Sequence, residues 1–165
     1  MFRYEAAVHR VWDITPSLLA SLQVRGLLLD IDNTLTTHDN PVPAPGVTDW
    51  IVRMREADIG LCLVSNNHPP RVAPFAETLG LPYVCEGRKP LSKGYREAVE
   101  ILGLPKKETA VVGDQIFTDV WGANLFHVPC ILVEPMQLET TRFFRFKRAL
   151  EKPFWPRHFD EASEK

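Results

Sequence analysis

The sequence predicts an α/β fold, a three-layer sandwich in which helices cover both faces of a mostly parallel five-stranded sheet. Short apolar runs alternate with longer helical patterns along the chain. Strands that alternate with helices are joined by right-handed crossovers into a parallel sheet. Several runs are apolar at almost every position, as expected of strands covered on both faces. The length of 165 residues favours one domain over 1–165.

Each element has a local signal. Thr15 followed by Pro16 is typical of a helix start, so 1–23 is interpreted as an N-terminal helical extension. Gly80 and Gly103 stand where glycine ends helices, and Ser92 is a candidate N-cap. The strands are predicted at Arg25–Ile31, Ile59–Val64, Pro82–Cys85, Ala110–Val112 and Val128–Val133. The helices are predicted at 15–22, 45–57, 69–79, 92–102, 115–125 and 137–150.

The composition is that of a soluble globular protein, with 45% apolar and 24% charged residues. The formal charge of −2 gives no global attraction to nucleic acid or lipid. Cys62, Cys85 and Cys130 lack a metal-like C-x-x-C spacing, so we expect reduced core residues in a cytoplasmic protein. We expect neither a secretory signal nor a membrane span, because no suitable apolar run is present.

Polar residues follow four of the predicted strands. Ligands of parallel α/β sheets bind beyond the carboxyl ends of the strands, so these residues are expected to share one site. They are Asp30 and Asp32 after the first strand, Ser65-Asn66-Asn67 after the second, Arg88-Lys89 after the third and Gly113-Asp114 after the fourth.

The acids suit a magnesium ion, which prefers oxygen ligands and keeps several waters. Asp30 and Asp114 can each offer one carboxylate oxygen, and the backbone carbonyl of Asp32 can offer a third. The alternatives are a turn with solvated acids at 30–33 and a simple helix cap at Asp114.

Two further groups suit a phosphoryl group. The Ser65 hydroxyl and the adjacent backbone amides can hold its oxygens, although Ser-Asn-Asn is also ordinary loop chemistry. Lys89 can offset the charge of phosphate and Asp30, and Asp119 can hold that lysine in place. The alternatives are a surface lysine and a solvated helix aspartate.

These groups resemble, in order, the four motifs of the haloacid dehalogenase (HAD) superfamily: Asp30-x-Asp32-x-Thr34, Ser65, Lys89, and Gly113-Asp114 followed by Asp119. The chain resembles more closely the YqeG-type phosphatases of HAD subfamily IIIA, from about residue 5 to 150. It departs from that group at Gly122-Ala123-Asn124, where two glycines often precede the Asn. The closer resemblance rests on Asp13-Ile14-Thr15-Pro16, Asp30–Leu35, Ser65-Asn66-Asn67, Arg88-Lys89-Pro90, Gly113-Asp114-Gln115 and Thr118-Asp119-Val120.

The resemblance implies a HAD-like Rossmannoid fold and a magnesium-dependent phosphomonoester hydrolase. Asp30 would be the nucleophile that is transiently phosphorylated, and Asp32 the general acid and base. An acid at this second position argues against halide chemistry. The YqeG-type group is similar to mitochondrial and plastid phosphatases that act on phosphatidylglycerophosphate, so this lipid is a candidate substrate. The remaining implied roles are phosphate binding by Thr34, Ser65, Asn66 and Lys89, metal binding by Asp30, Asp32 and Asp114, and support of Lys89 by Asp119.

The spacing leaves no room for an inserted cap domain, because Leu35 to Ile59 and Asn67 to Lys89 are short. We expect an open site that suits lipid or macromolecular substrates, unless a homo-oligomer covers it. The segment 137–158 is basic and aromatic. It can contact an anionic membrane surface, or dock on the sheet with its charges in water. We expect 160–165 to be disordered.

Three other functions fit parts of the pattern. A phosphoacceptor of the receiver type also uses an Asp, a hydroxyl and a Lys, but collects its acids near the first strand, whereas Asp114 follows the fourth. A binding protein on a HAD fold would not need the whole motif set. A nucleic-acid 3′-end phosphatase would need a basic track, which the near-neutral charge does not favour, so we expect no specific nucleic-acid binding.

Overall fold

In a computed structural model of the chain, which describes residues 1–137 and 141–161, six strands form one parallel sheet. Their spatial order is β1-β6-β5-β2-β3-β4, and each neighbouring pair is parallel. The strands are β1 (Ala6–Val8), β2 (Gly26–Leu29), β3 (Gly60–Val64), β4 (Tyr83–Val84), β5 (Thr109–Gly113) and β6 (Cys130–Val133).

In the described part of the chain, six α-helices connect or follow the strands. They are α1 (Pro16–Ser21), α2 (Val47–Glu56), α3 (Pro69–Leu79), α4 (Lys93–Leu102), α5 (Trp121–Phe126) and α6 (Arg142–Glu151). A π-helical turn at Ile116–Val120 leads directly into α5. Short 3₁₀ turns lie at Val11–Asp13, Lys106–Glu108 and Lys152–Phe154.

Apolar side chains fill both faces of the sheet. Leu27 and Leu29 of β2 belong to one core with Trp50 of α2, and Leu28 belongs to a second core with Tyr95 of α4. Successive strand residues point to opposite faces, so the fully buried run of β2 needs a helical layer on each side. This confirms the three-layer arrangement, and each large side chain buried in it contributes about 1.5–3 kcal/mol.

The sheet has six strands rather than the predicted five. The extra strand is β1, which pairs in parallel with β6, so 1–23 is not only a helical extension. Its Ala-Ala-Val run is too short to show a period, and its partner lies far away in the chain. The backbone of Asp160 forms hydrogen bonds with the backbone of Ala7 and His9, at the edge of β1. The disorder predicted for 160–165 is therefore wrong at Asp160, and residues 162–165 lie outside the described residues.

Most predicted helix ends are confirmed. The Thr15 hydroxyl accepts a hydrogen bond from the Leu18 N–H at 3.1 Å, and Gly80 and Gly103 end their helices with φ near +60°. Ser92 precedes α4, but its hydroxyl caps nothing. The last helix begins after Thr141, and the predicted positions 138–140 lie outside the described residues.

The chain between the strands is short. Between β2 and β3 the one regular element is α2, and between β3 and β5 lie α3, β4, α4 and the 3₁₀ turn at Lys106–Glu108. No inserted cap is therefore present between these strands, all of whose residues are described. Within 1–137 and 141–161, no helix has the length and apolar character required to cross a bilayer.

Candidate active site

The candidate site lies where β2, β3 and β5 end. The chain runs from β2 outward to β3 and β4, and then returns past β2 to β5. This reversal creates a switch point, and the loops leaving the strands diverge there to form a crevice. The cleft has a volume of about 230 Å³. A larger groove, of about 470 Å³, lies at the amino ends of the strands and holds the Arg25–Glu108 ion pair but no acid cluster.

The cleft brings together most of the predicted site residues. The predicted residues that line it are Asp30, Asp32, Ser65, Asn66 and Lys89. Asn67, which the sequence placed after the second strand, also lines it, together with His38, Gln115, Thr118, Phe144 and Lys147, which had no predicted role in the site.

Asp30 directly follows β2, and its N–H donates to the Val112 carbonyl at 2.9 Å. Its carboxylate accepts hydrogen bonds from the Lys89 ammonium at 2.5 Å and from the Thr34 hydroxyl at 3.4 Å. Burial raises the pKa of Asp30 well above its usual range, and Lys89 opposes this effect. Lys89 therefore offsets part, but not all, of the cost of burying this carboxylate in its charged form.

Lys89 lies between two carboxylates, because its ammonium also donates to Asp119 at 2.7 Å. Burial lowers the pKa of Lys89, but Asp119 and Asp30 outweigh that effect and hold the pKa well above its usual range. The surface-lysine alternative is wrong, since the side chain is only 4% exposed. Lys89 thus presents a fixed positive charge next to the carboxylate of Asp30.

Asn66 holds the backbone of Lys89. Its side-chain NH₂ donates to the Lys89 carbonyl at 3.1 Å, and the Lys89 N–H donates to its side-chain oxygen at 2.7 Å. Asn66 also lines the cleft, and its predicted contact with phosphate stays a prediction. Its side chain positions the segment that carries the lysine.

Asp119 is buried behind Lys89, so the solvated alternative is wrong. A Cβ at Gly113 would lie 2.2 Å from the Asp119 carboxyl carbon, so only glycine allows this approach. The second oxygen of Asp119 accepts from the Gln115 N–H at 3.2 Å. The π-helical turn, a feature frequent at functional sites, carries Asp119 to this position.

Asp32 is held by three donors. One carboxylate oxygen accepts from the Arg71 guanidinium and the Asp39 N–H, at 2.9 and 2.8 Å. The other accepts from the Asn67 side chain at 2.9 Å. Arg71 lies in α3, and no local signal distinguishes it from a surface arginine. These contacts fix the side chain of Asp32 at the cleft, and the predicted metal contact of its backbone carbonyl stays a prediction.

Asp114 contacts an arginine from the C-terminal helix. The Arg148 guanidinium donates to one Asp114 carboxylate oxygen, to the Asp114 carbonyl at 2.8 Å and to Glu151 at 3.1 Å. Burial raises the pKa of Asp114 to about 7, although Arg148 acts to lower it. The expectation that the basic segment keeps its charges in water is therefore wrong at Arg148, which is 8% exposed.

The acids fit a divalent cation. Carboxylate oxygens of Asp30, Asp114 and Asp119 lie within 4.8 Å of one another. The second carboxylate oxygen of Asp114 is buried and has no hydrogen-bond partner, which is costly unless another group satisfies it. A hard ion that accepts oxygen ligands meets both conditions.

Helix α6 borders the cleft that the sequence predicted to be open. Lys147 donates to the Gln115 side-chain oxygen at 2.5 Å. The Phe144 ring lies 5.7 Å from the ring of His38, on the loop after β2. The site is therefore narrower than its lack of a cap suggests.

Comparisons with known proteins agree with this geometry. Residues 28–127 match the model of the haloacid dehalogenase-like hydrolase family. The Bacillus subtilis (strain 168) protein named "Probable phosphatase YqeG" is 38% identical over 145 residues, which are 88% of this chain and 84% of that protein.

Two solved structures share the fold. An uncharacterized protein from Listeria monocytogenes serotype 4b superposes with a TM-score of 0.58 at 16% identity, over 72% of this chain and 85% of the other. The cobalt-bound deoxy-D-mannose-octulosonate 8-phosphate phosphatase from Haemophilus influenzae gives 0.50 at 15% identity, over 79% and 88%.

Proposed function

Since this chain belongs to the haloacid dehalogenase-like hydrolase family and is a phosphatase of the YqeG type, we propose that it hydrolyses phosphomonoesters through a covalent phosphate on Asp30, with magnesium as its metal. The observation that carries this proposal is the arrangement of Asp30. Its carboxylate lines the cleft, contacts the buried ammonium of Lys89 and lies within 4.8 Å of the carboxylate of Asp114, one oxygen of which has no hydrogen-bond partner.

The reaction has two steps. An oxygen of Asp30 attacks phosphorus as the bond to the leaving oxygen breaks, and Asp32 gives that oxygen a proton. Asp32 then takes a proton from water, which attacks the phosphorus of the aspartyl-phosphate and releases inorganic phosphate. Asn67 and Arg71 keep the Asp32 carboxyl group at the cleft during both steps.

Several groups reduce the repulsion between two anions. The carboxylate of Asp30 must approach a phosphate, which costs about 4 kcal/mol at close range in a fairly polar site. Lys89 and the Ser65 hydroxyl hold the phosphoryl oxygens, and Thr34 orients Asp30. Asp30, Asp114 and the carbonyl of Asp32 would hold magnesium, which when bound supplies further positive charge at the phosphoryl group.

Steady-state hydrolysis of p-nitrophenyl phosphate tests the proposal. We expect Asp30→Asn to reduce kcat by roughly three orders of magnitude or more, because the nucleophile is lost. Asp49→Asn, an exposed acid in the first turn of α2, is the matched control and should keep its activity. Chelator should abolish wild-type turnover, and magnesium should restore it.

Two results would count against the mechanism: an active Asp30→Asn variant, or turnover that chelator leaves unchanged. Stoichiometric phosphorylation without release of phosphate would favour the phosphoacceptor alternative instead.

For the substrate we propose phosphatidylglycerophosphate, a lipid presented at an anionic surface. The outer face of α6 supports this, because Phe143 and Phe146 are 72% and 66% exposed and Leu150 follows one turn later. Arg142 and Arg145 lie beside this apolar stripe, and such a helix suits an anionic interface. Other residues of the same helix line the cleft, so a membrane bound at α6 would bring a headgroup close to the site.

Phosphate release from this lipid in mixed micelles tests the assignment. We expect a Phe143→Ser, Phe146→Ser double variant to lose micellar activity while it hydrolyses p-nitrophenyl phosphate normally. Ile101→Ser, which removes an exposed apolar side chain of α4, is the control. Activity confined to soluble esters would refute the lipid assignment, and preference for a 3′-phosphorylated oligonucleotide would favour the nucleic-acid alternative.

A further inference from the structure

Three cations of the protein pair with the acids of the site. Lys89 pairs with Asp30 and Asp119, and Arg71 pairs with Asp32. Arg148 pairs with Asp114 and also with Glu151, as described above. Each buried carboxylate around the cleft thus has a cation from the protein itself.

Lys147 is arranged differently. Its ammonium lines the cleft but donates to Gln115, a neutral amide whose oxygen also accepts from the Thr118 hydroxyl at 3.1 Å. In the described ranges of the chain, no carboxylate lies within ion-pair distance of it. A cation that faces a phosphate-sized cleft with a neutral partner can gain a stronger, charge-assisted hydrogen bond from an anionic ligand.

The fold holds Lys147 in place. Its neighbour Arg148 is anchored to Asp114, and Phe144, one turn earlier on α6, also lines the cleft and packs near His38. In the proposed reaction the phosphoryl group lies at Asp30 and Lys89, so the part of the substrate that extends toward α6 is the leaving group.

We propose that Lys147 is a specificity-determining residue that binds a second negative charge on the leaving group. The preferred substrates are then phosphomonoesters of alcohols that carry a carboxylate or a phosphodiester, rather than of neutral alcohols. This inference rests on the proposed phosphatase function, and it concerns the choice among substrates rather than the reaction itself.

A matched substrate pair tests this role. Both 3-phosphoglycerate and glycerol 3-phosphate present a phosphate on a three-carbon chain, and only the first has a carboxylate in its leaving group. We expect the wild-type protein to prefer 3-phosphoglycerate in kcat/KM, and Lys147→Met to lower the ratio of the two values about tenfold, as expected for the loss of one charge-assisted contact. Lys147→Arg should keep most of the preference.

Lys152→Met is the matched control, because Lys152 is an exposed lysine just beyond α6. It should leave the ratio unchanged. The subsite is refuted if Lys147→Met lowers kcat/KM equally for both substrates, or leaves the ratio as in the wild type, and either result leaves the phosphatase function standing. A wild-type protein that turns over neither substrate, nor p-nitrophenyl phosphate, would overturn the proposed function and the subsite with it.

Discussion

Replacing Arg148 with methionine tests whether α6 is a structural part of the active site. Asp114 and Glu151 are both fully buried, and this guanidinium contacts both carboxylates. Removal of one partner from a buried ion pair costs about 3–5 kcal/mol, because the remaining charge is left uncompensated. The guanidinium also lies 5.8 Å from the ring of Trp155, and that contact is lost as well.

We expect a value near the lower end, about 3 kcal/mol. Burial already raises the pKa of Asp114 to about 7, so without the arginine this carboxyl group can take up a proton and reduce the penalty. For a protein of this size, about 3 kcal/mol lowers Tm by roughly 6–12 °C.

Thermal unfolding followed by far-UV circular dichroism, in metal-free buffer near neutral pH, measures this shift. Arg145→Met is the control on the same helix, and it should change stability by no more than about 0.5 kcal/mol because Arg145 is exposed. A second change, Glu151→Met in the Arg148→Met background, should recover part of the loss since it removes a stranded charge. A Tm of Arg148→Met within about 2 °C of the wild type would refute a structural role for α6 at the site.

Two further predictions concern the acids behind the cleft. The folded-state pKa of Asp114, about 7, exceeds the unfolded value of about 3.9. The contribution of Asp114 to stability is therefore present at low pH and is lost as pH rises from about 4 to about 7. Urea unfolding in the presence of chelator should show this decline in the free energy of unfolding, and an equally steep decline in Asp114→Asn would contradict it. Gly113→Ala should lower the free energy of unfolding by about 1–3 kcal/mol and remove most of the phosphatase activity, because the new Cβ would displace Asp119 from Lys89. Unchanged hydrolysis of p-nitrophenyl phosphate would show that the site tolerates the displacement of Asp119.

Continuous apolar runs made the central strands predictable. The β2 run is buried at every position, and a strand covered on both faces requires an apolar side chain at each step. Its end is marked by Asp30, because an acid is costly in such a run without a compensating partner. The same reasoning placed Ser65, Lys89 and Asp114 at one edge of the sheet, where the structure brings their segments together.

Other elements had no such local signal. Strand β1 is only three residues long, and it exists because β6 supplies its hydrogen-bond partners from more than a hundred residues away. The basic pattern of α6 would be the same for a helix in water, on a membrane or against the protein. Local periodicity reports which face of an element is apolar, but it cannot report which partner that element meets.

The motif acids and the alternation of the five later strands with helices could thus be predicted from the sequence, because burial and turn chemistry depend on neighbouring residues. The partners of those acids could not. Arg71 and Arg148 lie 39 and 34 residues from Asp32 and Asp114, and Lys147 reaches the cleft only through the docking of α6. The energy of a buried charge depends on the groups that folding brings within a few ångströms of it, so these contacts became visible only in three dimensions.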